Sequence, residues 1–451
     1  MRVKKILAST IAVLDSNVHT GGGTDDTKAI QSVLDMAKNE ETGIHLVMDG
    51  AALVSHLELY SNTTIECINK DCGFYQMDHV DDALITNAIW DHYNTSTRNI
   101  SLLGGTYNQN CLNQAHNIHR EKEVYQTPDG RNVEEIDFTL CIVFYGVENL
   151  LVRDITIAQF RTFAFTLGCF KHAIIEDVWL DMQHHMNGNQ DGFHFWGPGK
   201  YLTVRDCGGC VSDDIMNIGP DEMDHISTIT DVLVDGLFLD DAEQAVRLLV
   251  RDKGFLDRVT IRNISGQYRS FGFYITPWFQ DEAYGHFGNI FIENVDLKEY
   301  PATYNYREPI LFSVGGNIDC LTLKNIRHHN GYDTRPLFDF GSAWDMGAAS
   351  GGSVKQHLNT IIIEDLQIME DGQDPLGKTY IKIYDKIDHF VLRNIYIQKD
   401  QSVPNGKFIE FIGEGCVENL ITNTIQIDGV ETVCTDTSRI KNRRYPKNEL
   451  I

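Results

Sequence analysis

From about residue 149 onward one short phrase of apolar and polar positions keeps returning. It runs apolar, any residue, apolar, charged or polar, Asp or Asn, and then alternates again. Copies read LLVRDITI (150–157), AIIEDVWL (173–180), LTVRDCGG (202–209), VLVDGLFL (232–239) and VTIRNISG (259–266). They continue as IFIENVDL (290–297), LTLKNIRH (321–328), IIIEDLQI (361–368), FVLRNIYI (390–397) and LITNTIQI (420–427). From Asp154 to Thr424 there are nine steps over 270 residues, roughly 30 residues each. Period-two alternation marks strands, and a repeat of 20–50 residues marks a solenoid.

A second strand recurs inside each period: FAFTLG (163–168), DGFHFWG (191–197), DDIMNIG (213–219), AVRLLV (245–250) and FGFYIT (271–276). Later copies are PILFSVG (309–315), PLFDFG (336–341), TYIKIY (379–384) and FIEFIG (408–413). No long amphipathic helix separates the two strands, so the pattern predicts a parallel β-helix and not a βαβ fold. The repeated Asp or Asn fits turns between sheets, where these residues tolerate unusual backbone angles. The expected fold is all-β, a right-handed parallel β-helix of ten or more coils in one domain. A cap is expected over about 1–45, coils over about 46–430 and a solvated tail over about 431–451. In the cap, Thr24 is placed to start a helix whose first turn carries Asp25 and Asp26. Its apolar face holds Ala29, Ile30, Val33, Leu34 and Ala37. Such a helix would cover the open end of the solenoid. Segments at roughly 108–138, 277–288 and 343–358 break the repeat and read as insertions that wall a binding face.

Stacked coils lie about 4.8 Å apart, so residues one coil apart in sequence become neighbours. Aligning the second strands puts Asp191, Asp214, Gln244 and Phe271 in one row and Gln190, Asp213, Glu243 and Ser270 in the next. A third row, on the outward side, holds His194, Asn217, Arg247 and Tyr274; Phe193, Met216, Val246 and Phe273 alternate into the core. Carboxylates this close are expected to raise at least one pKa, leaving an acid beside ionised bases. Glycoside hydrolysis needs that pair. The bland alternative is a set of turn carboxylates bonded to backbone amides.

Composition narrows the partners. The formal net charge of −26 argues against nucleic acid or an anionic membrane surface, both of which call for basic patches. The ten cysteines are scattered, and Cys207-Gly208-Gly209-Cys210 has no second pair to complete a zinc site, so free thiols are expected. The start, with Arg2, Lys4 and Lys5 before a short apolar run, only faintly resembles a signal peptide, because Ser9, Thr10 and Asp15 interrupt it. It reads as a first strand. A cytoplasmic location is the expectation, with export left open, and no stretch reads as a membrane span.

These motifs resemble those of glycoside hydrolase family 28, the polygalacturonases and rhamnogalacturonases, of the pectin-lyase-like superfamily. That family has Asn-Thr-Asp, then Gly-Asp-Asp, Gly-His-Gly and Arg-Ile-Lys. This chain has Asn189-Gln190-Asp191-Gly192 and then Ser212-Asp213-Asp214, while the Gly-Gly-Thr-Asp-Asp-Thr-Lys-Ala-Ile-Gln run at 22–31 and Gly104-Gly105-Thr106-Tyr107 are similar to the family's opening helix and early coil. The resemblance covers about residues 5–430. It implies an inverting hydrolase of a pectin-like or related oligosaccharide that needs no metal or cofactor. Asp213 would be the general acid, Asp191 and Asp214 would activate water, and Arg247 would grip the sugar. Two departures stand out: Leu249 occupies the place of the lysine, and no Gly-His-Gly coil lies between Asp214 and Arg247. These departures weaken the case for galacturonate and leave a neutral or differently substituted sugar as an alternative. His194, Asn217, Glu243, Tyr274 and Trp278 complete the expected substrate contacts, and Trp196 and Phe279 are further rings weighed for stacking.

Two rivals use the same scaffold. A calcium-dependent polysaccharide lyase would take the acidic cluster as metal ligands and Arg247 as base. A non-catalytic carbohydrate-binding solenoid would carry rings and amides without a focused acid cluster.

Overall fold

The computed structural model describes residues 2–39, 41–115, 140–182, 189–224, 226–277, 285–300, 309–329, 336–341, 356–370, 378–399, 406–428 and 430–444. They form a right-handed parallel β-helix of thirty strands with one α-helix, Thr27–Leu34. The chain divides into two compact units, Met1–Asn217 and Ile218–Ile451. Among the described residues no helix is long and apolar enough to cross a membrane.

In the first unit, Arg2–Leu7 forms the first strand expected from the sequence and pairs in parallel with Thr42–Met48. The helix buries Ile30, Val33 and Leu34, the core of the expected face. Its start differs from expectation. The Thr24 hydroxyl donates to Asp15, and Asp26 sits at the N-cap position without capping. The buried carboxylate of Asp26 instead accepts from the N–H groups of Val13 and Leu14, each at 2.8 Å, and ties the preceding loop to the helix. Asp25 accepts from the Thr27 N–H at 2.9 Å. Both acids are thus structural, as their place in the sequence suggested. Strands Thr97–Leu103, Ile142–Arg153, Phe165–Glu176 and Phe193–Cys210 then stack in turn, with Ile100, Leu150, Ala173 and Leu202 as one buried column.

The second unit repeats the scheme with longer columns. Val232, Val259, Ile290, Leu321, Ile361, Phe390 and Leu420 lie opposite one another in successive strands, and all are buried. Each such side chain contributes about 1.5–3 kcal/mol on leaving water. The recurring Asp or Asn adopts left-handed φ at every repeat: Asp154, Asp177, Asp206, Asn263, Asn294, Asn325, Asp365 and Asn394 all lie between 50° and 60°. Gly236 and Thr424 take the same role. Their amides also bond from coil to coil: Asn325 Nδ2 to Asn294 at 2.8 Å, and Asn294 Nδ2 to Asn263 at 3.1 Å.

The ladder runs past the expected end near 430. Strands Val430–Cys434 and Ile440–Arg444 add to Gly406–Phe411 and Cys416–Ile427. Ile440 fills the inner position while Lys441, Asn442, Arg443 and Arg444 face solvent, so a basic composition concealed a strand. Most of each expected insertion lies outside the described residues. All ten cysteines are free thiols, and burial pushes Cys207 up to about 12.

Candidate active site

The first unit brings Asp191, Asp213 and Asp214 together. One carboxylate oxygen of each lies within 4.8 Å of the others. The backbone explains why. Ala164 N–H donates to the Asp191 carbonyl at 2.9 Å, and Gly192 N–H donates to the Asp214 carbonyl at 2.8 Å. In parallel pairing the second bond sets Asp191 opposite Asp214, as the row alignment predicts. Gly192 permits the approach: a Cβ there would lie 2.4 Å from the Ile215 carbonyl oxygen and 2.3 Å from Leu180 Cδ1. Phe193 and Met216 point inward and are fully buried, so strand alternation turns the next residues, His194 and Asn217, to the other face.

The three carboxylates differ in surroundings. Asp191 and Asp214 are each 4% exposed, whereas Asp213 is half-buried. Asp213 Oδ2 accepts the Asn189 N–H at 3.0 Å, presented by Asn189 at φ 60°. Asp191 Oδ2 lies 2.9 Å from His194 Nδ1. The His194 ring stacks on Phe163 at 4.1 Å and 9°, so its orientation is set from the side as well. Gln190 accepts from the Ser212 hydroxyl at 2.9 Å and donates to the Phe160 carbonyl at 3.3 Å. The spacing of the acids also lets one oxygen of each reach a common cation. Asn217 is buried, and its Oδ1 has no hydrogen-bond partner among the described residues.

Within the second unit the other expected residues keep their predicted registers. Gln244 lies opposite Phe271 and Arg247 opposite Tyr274. Glu243 is 2% exposed and accepts from the Ser270 hydroxyl. The Arg247 guanidinium lies 4.1 Å over the Tyr274 ring, and Phe271 stacks on that ring at 4.1 Å and 5°. Two groups at that height must occupy opposite faces, so Tyr274 holds Arg247 in place. Leu249, at the lysine's position, is 1% exposed. Arg251 donates through Nη1 to the Glu222 carbonyl at 2.8 Å. Trp278 and Phe279 lie outside the described residues.

Beside the acids lies a chain of rings of which sequence reasoning had weighed only Trp196. Trp196 is 4% exposed and packs 5.0 Å from His194, 5.8 Å from Tyr145 and 6.3 Å from Phe163. Tyr145 in turn lies 5.1 Å from Trp90 and 4.7 Å from His92. Phe163 was findable, because extending the Asp191 row one coil backward reaches it. Trp90 was not, since it lies in an irregular segment before the clear repeats.

No family's sequence model matches the chain, and no curated protein matches it by sequence. Solved structures do match in shape. A family 28 exopolygalacturonase from Yersinia enterocolitica superposes with a TM-score of 0.58 at 14% identity, covering 95% of this chain and 79% of that one. A hyperthermoactive exopolygalacturonase from Thermotoga maritima gives 0.51 at 12% identity, covering 93% and 92%. At such identities the likeness is one of fold alone, the parallel β-helix.

Proposed function

We propose that this chain is a glycoside hydrolase acting on an oligosaccharide or polysaccharide, with its reacting centre at Asp191, Asp213 and Asp214. The observation that carries this reading is the convergence of three carboxylates from adjacent coils within 4.8 Å, two of them almost fully buried. Three carboxyl groups at one spot can supply both an acid and a base to a bond held between them. A shared proton beside ionised carboxylates is what glycosidic cleavage uses. Asp213, the most accessible member, donates to the departing glycosidic oxygen. Asp191 and Asp214 draw the proton from the attacking water. His194 acts as a positioning residue, because its Nδ1 contact fixes the Asp191 carboxylate. The fold neighbours, both named as exopolygalacturonases, support the reaction class.

Inversion is the outcome implied by the family resemblance. The short spacing favours a second reading, since retaining enzymes hold their carboxyls about 5–5.5 Å apart and inverting ones about 6.5–9.5 Å. Proton NMR of the first-formed anomer separates the two.

The test is release of reducing ends from pectic, rhamnogalacturonan and neutral oligosaccharides, with and without chelator. Chelator-resistant release is expected, with Asp213→Asn lowering turnover at least about 10²-fold. Chelator-sensitive release of an ultraviolet-absorbing product would instead identify a calcium-dependent lyase.

A further inference from the structure

We infer that the ring chain from Trp90 to Phe163 is a binding platform for neutral sugar residues, and that the substrate is a neutral oligosaccharide and not a polyuronate. This rests on the hydrolase reading for its orientation, but the platform itself is read from independent residues. Its two ends are accessible: Trp90 is 39% exposed and Phe163 is half-buried. Tyr145 and Trp196 lie between them, 3% and 4% exposed, as a packed floor. Successive ring centroids along Trp90, Tyr145, Trp196 and His194 are 5.1, 5.8 and 5.0 Å apart, and His194 meets Asp191. A short oligosaccharide spans that path from the acids to Trp90.

The segment carrying Trp90 is built to hold it rigidly outward. Asn87 is 1% exposed; its Nδ2 donates to the carbonyls of Ile89 (2.6 Å) and Tyr145 (2.7 Å), and its Oδ1 accepts from the Tyr145 N–H at 2.8 Å. One amide thus ties the loop to the very residue on which Trp90 packs. On the far side Asp91 accepts from the N–H groups of Tyr93 (3.0 Å) and Asn94 (2.9 Å) and from the Ser96 hydroxyl (2.7 Å). These bonds hold the Asp91 carboxyl down at about 2, so the clamp persists across the working pH range. Exposing a large ring on so well-tied a loop forgoes burial, which a ligand's apolar face restores.

Charge selects the ligand. A uronate chain carries a carboxylate on every residue and needs cations along its path. The nearest arginine in sequence to Phe163 is Arg161, which is 5% exposed and faces Asp81 at 3.9 Å. The place of the family's lysine is the buried Leu249. The formal charge of −26 repels a polyanion further at long range. Ring faces accept the C–H faces of neutral pyranoses without that penalty.

Binding is measured by titration calorimetry on the Asp213→Asn protein, which retains ligand without turning it over. The probes are oligomers of galactose, xylose, arabinose and rhamnose, with trigalacturonate as the charged comparison. At least one neutral oligomer is expected to bind more tightly than trigalacturonate. Trp90→Ala in the same background is expected to weaken it about five- to tenfold, the value of one aromatic stack, and Trp90→Phe to restore most of the loss. Tighter binding of trigalacturonate, equal affinity in Trp90→Ala, or no binding of any neutral oligomer overturns the platform. If neutral oligomers bind through Trp90 but the wild type cleaves none, the platform stands and the hydrolase reading falls. If the wild type cleaves them with Asp213 dependence while Trp90→Ala binds normally, the reverse holds.

Discussion

The second unit carries a charged cluster with no part in the proposed chemistry, and it makes a sharp prediction about acid stability. His328, Tyr268 and Glu299 are fully buried and Lys378 is 1% exposed. His328 Nε2 lies 3.0 Å from the Tyr268 hydroxyl, which donates to a neutral imidazole. Glu299 lies 3.6 Å from the Lys378 ammonium and 3.9 Å from His328. Burial first, then the positive charges of Lys378 and His329, hold His328 well below the ordinary 6.5. Below pH 6.5 the unfolded chain therefore binds a proton that the folded chain refuses. Stability present at neutral pH is lost as pH falls, at about 1.4 kcal/mol per unit, until the folded-state value is reached. His328→Phe removes the titration and the 3.0 Å contact with the Tyr268 hydroxyl, at a cost of about 0.5–1.5 kcal/mol at all pH values. Urea unfolding followed by far-ultraviolet circular dichroism compares the two proteins from pH 7.5 to 4.5. Groups common to both cancel, so the stability gap in favour of wild type should shrink steadily as pH falls below 6.5. A gap that stays constant with pH would refute the neutral, buried histidine.

Two further outcomes test the frame around the site. Gly192→Ala should lower turnover by roughly 10²-fold through displacement of Asp191 from Asp214, with a stability loss of about 1–3 kcal/mol, read by kinetics beside thermal melting; normal turnover would show that the close approach of these coils is not needed. Asn294→Val should destabilise the second unit by about 1–2 kcal/mol, because a β-branched residue is forced into left-handed φ and loses the bond to Asn325. Unchanged urea midpoints would remove the ladder from the stability of the fold.

The fold was legible because the same physical demand is met ten times. Each coil needs an apolar residue at the inner columns, such as Val259, Ile290 and Leu321, and a residue tolerant of left-handed φ at the corner, such as Asn263, Asn294 and Asn325. Repetition turns a weak local preference into a periodic signal. The acid cluster was legible for the same reason, since Asp191 and Asp214 occupy one row of that period. What escaped were features the period does not carry. The strand Ile440–Arg444 has a single inner residue, so its exposed basic positions dominated its composition. Asp26 looked like helix-cap chemistry, yet its two acceptors serve a loop twelve and thirteen residues upstream, a distance over which no local rule operates.

The ring platform lies between these cases and explains why the substrate was harder to read than the reaction. Phe163 shares a row with Asp191, whereas Trp90 is tied in through Asn87, whose amide bonds Ile89 locally and Tyr145 across 58 residues of sequence. The reacting carboxylates must align to within a bond length or two, so the repeat itself positions them. Sugar contacts away from the reacting bond tolerate looser geometry and fall to irregular loops fastened to the scaffold by single buried amides. On the proposed reading, reaction chemistry is therefore written in the periodic part of this chain, and specificity in the segments that interrupt it.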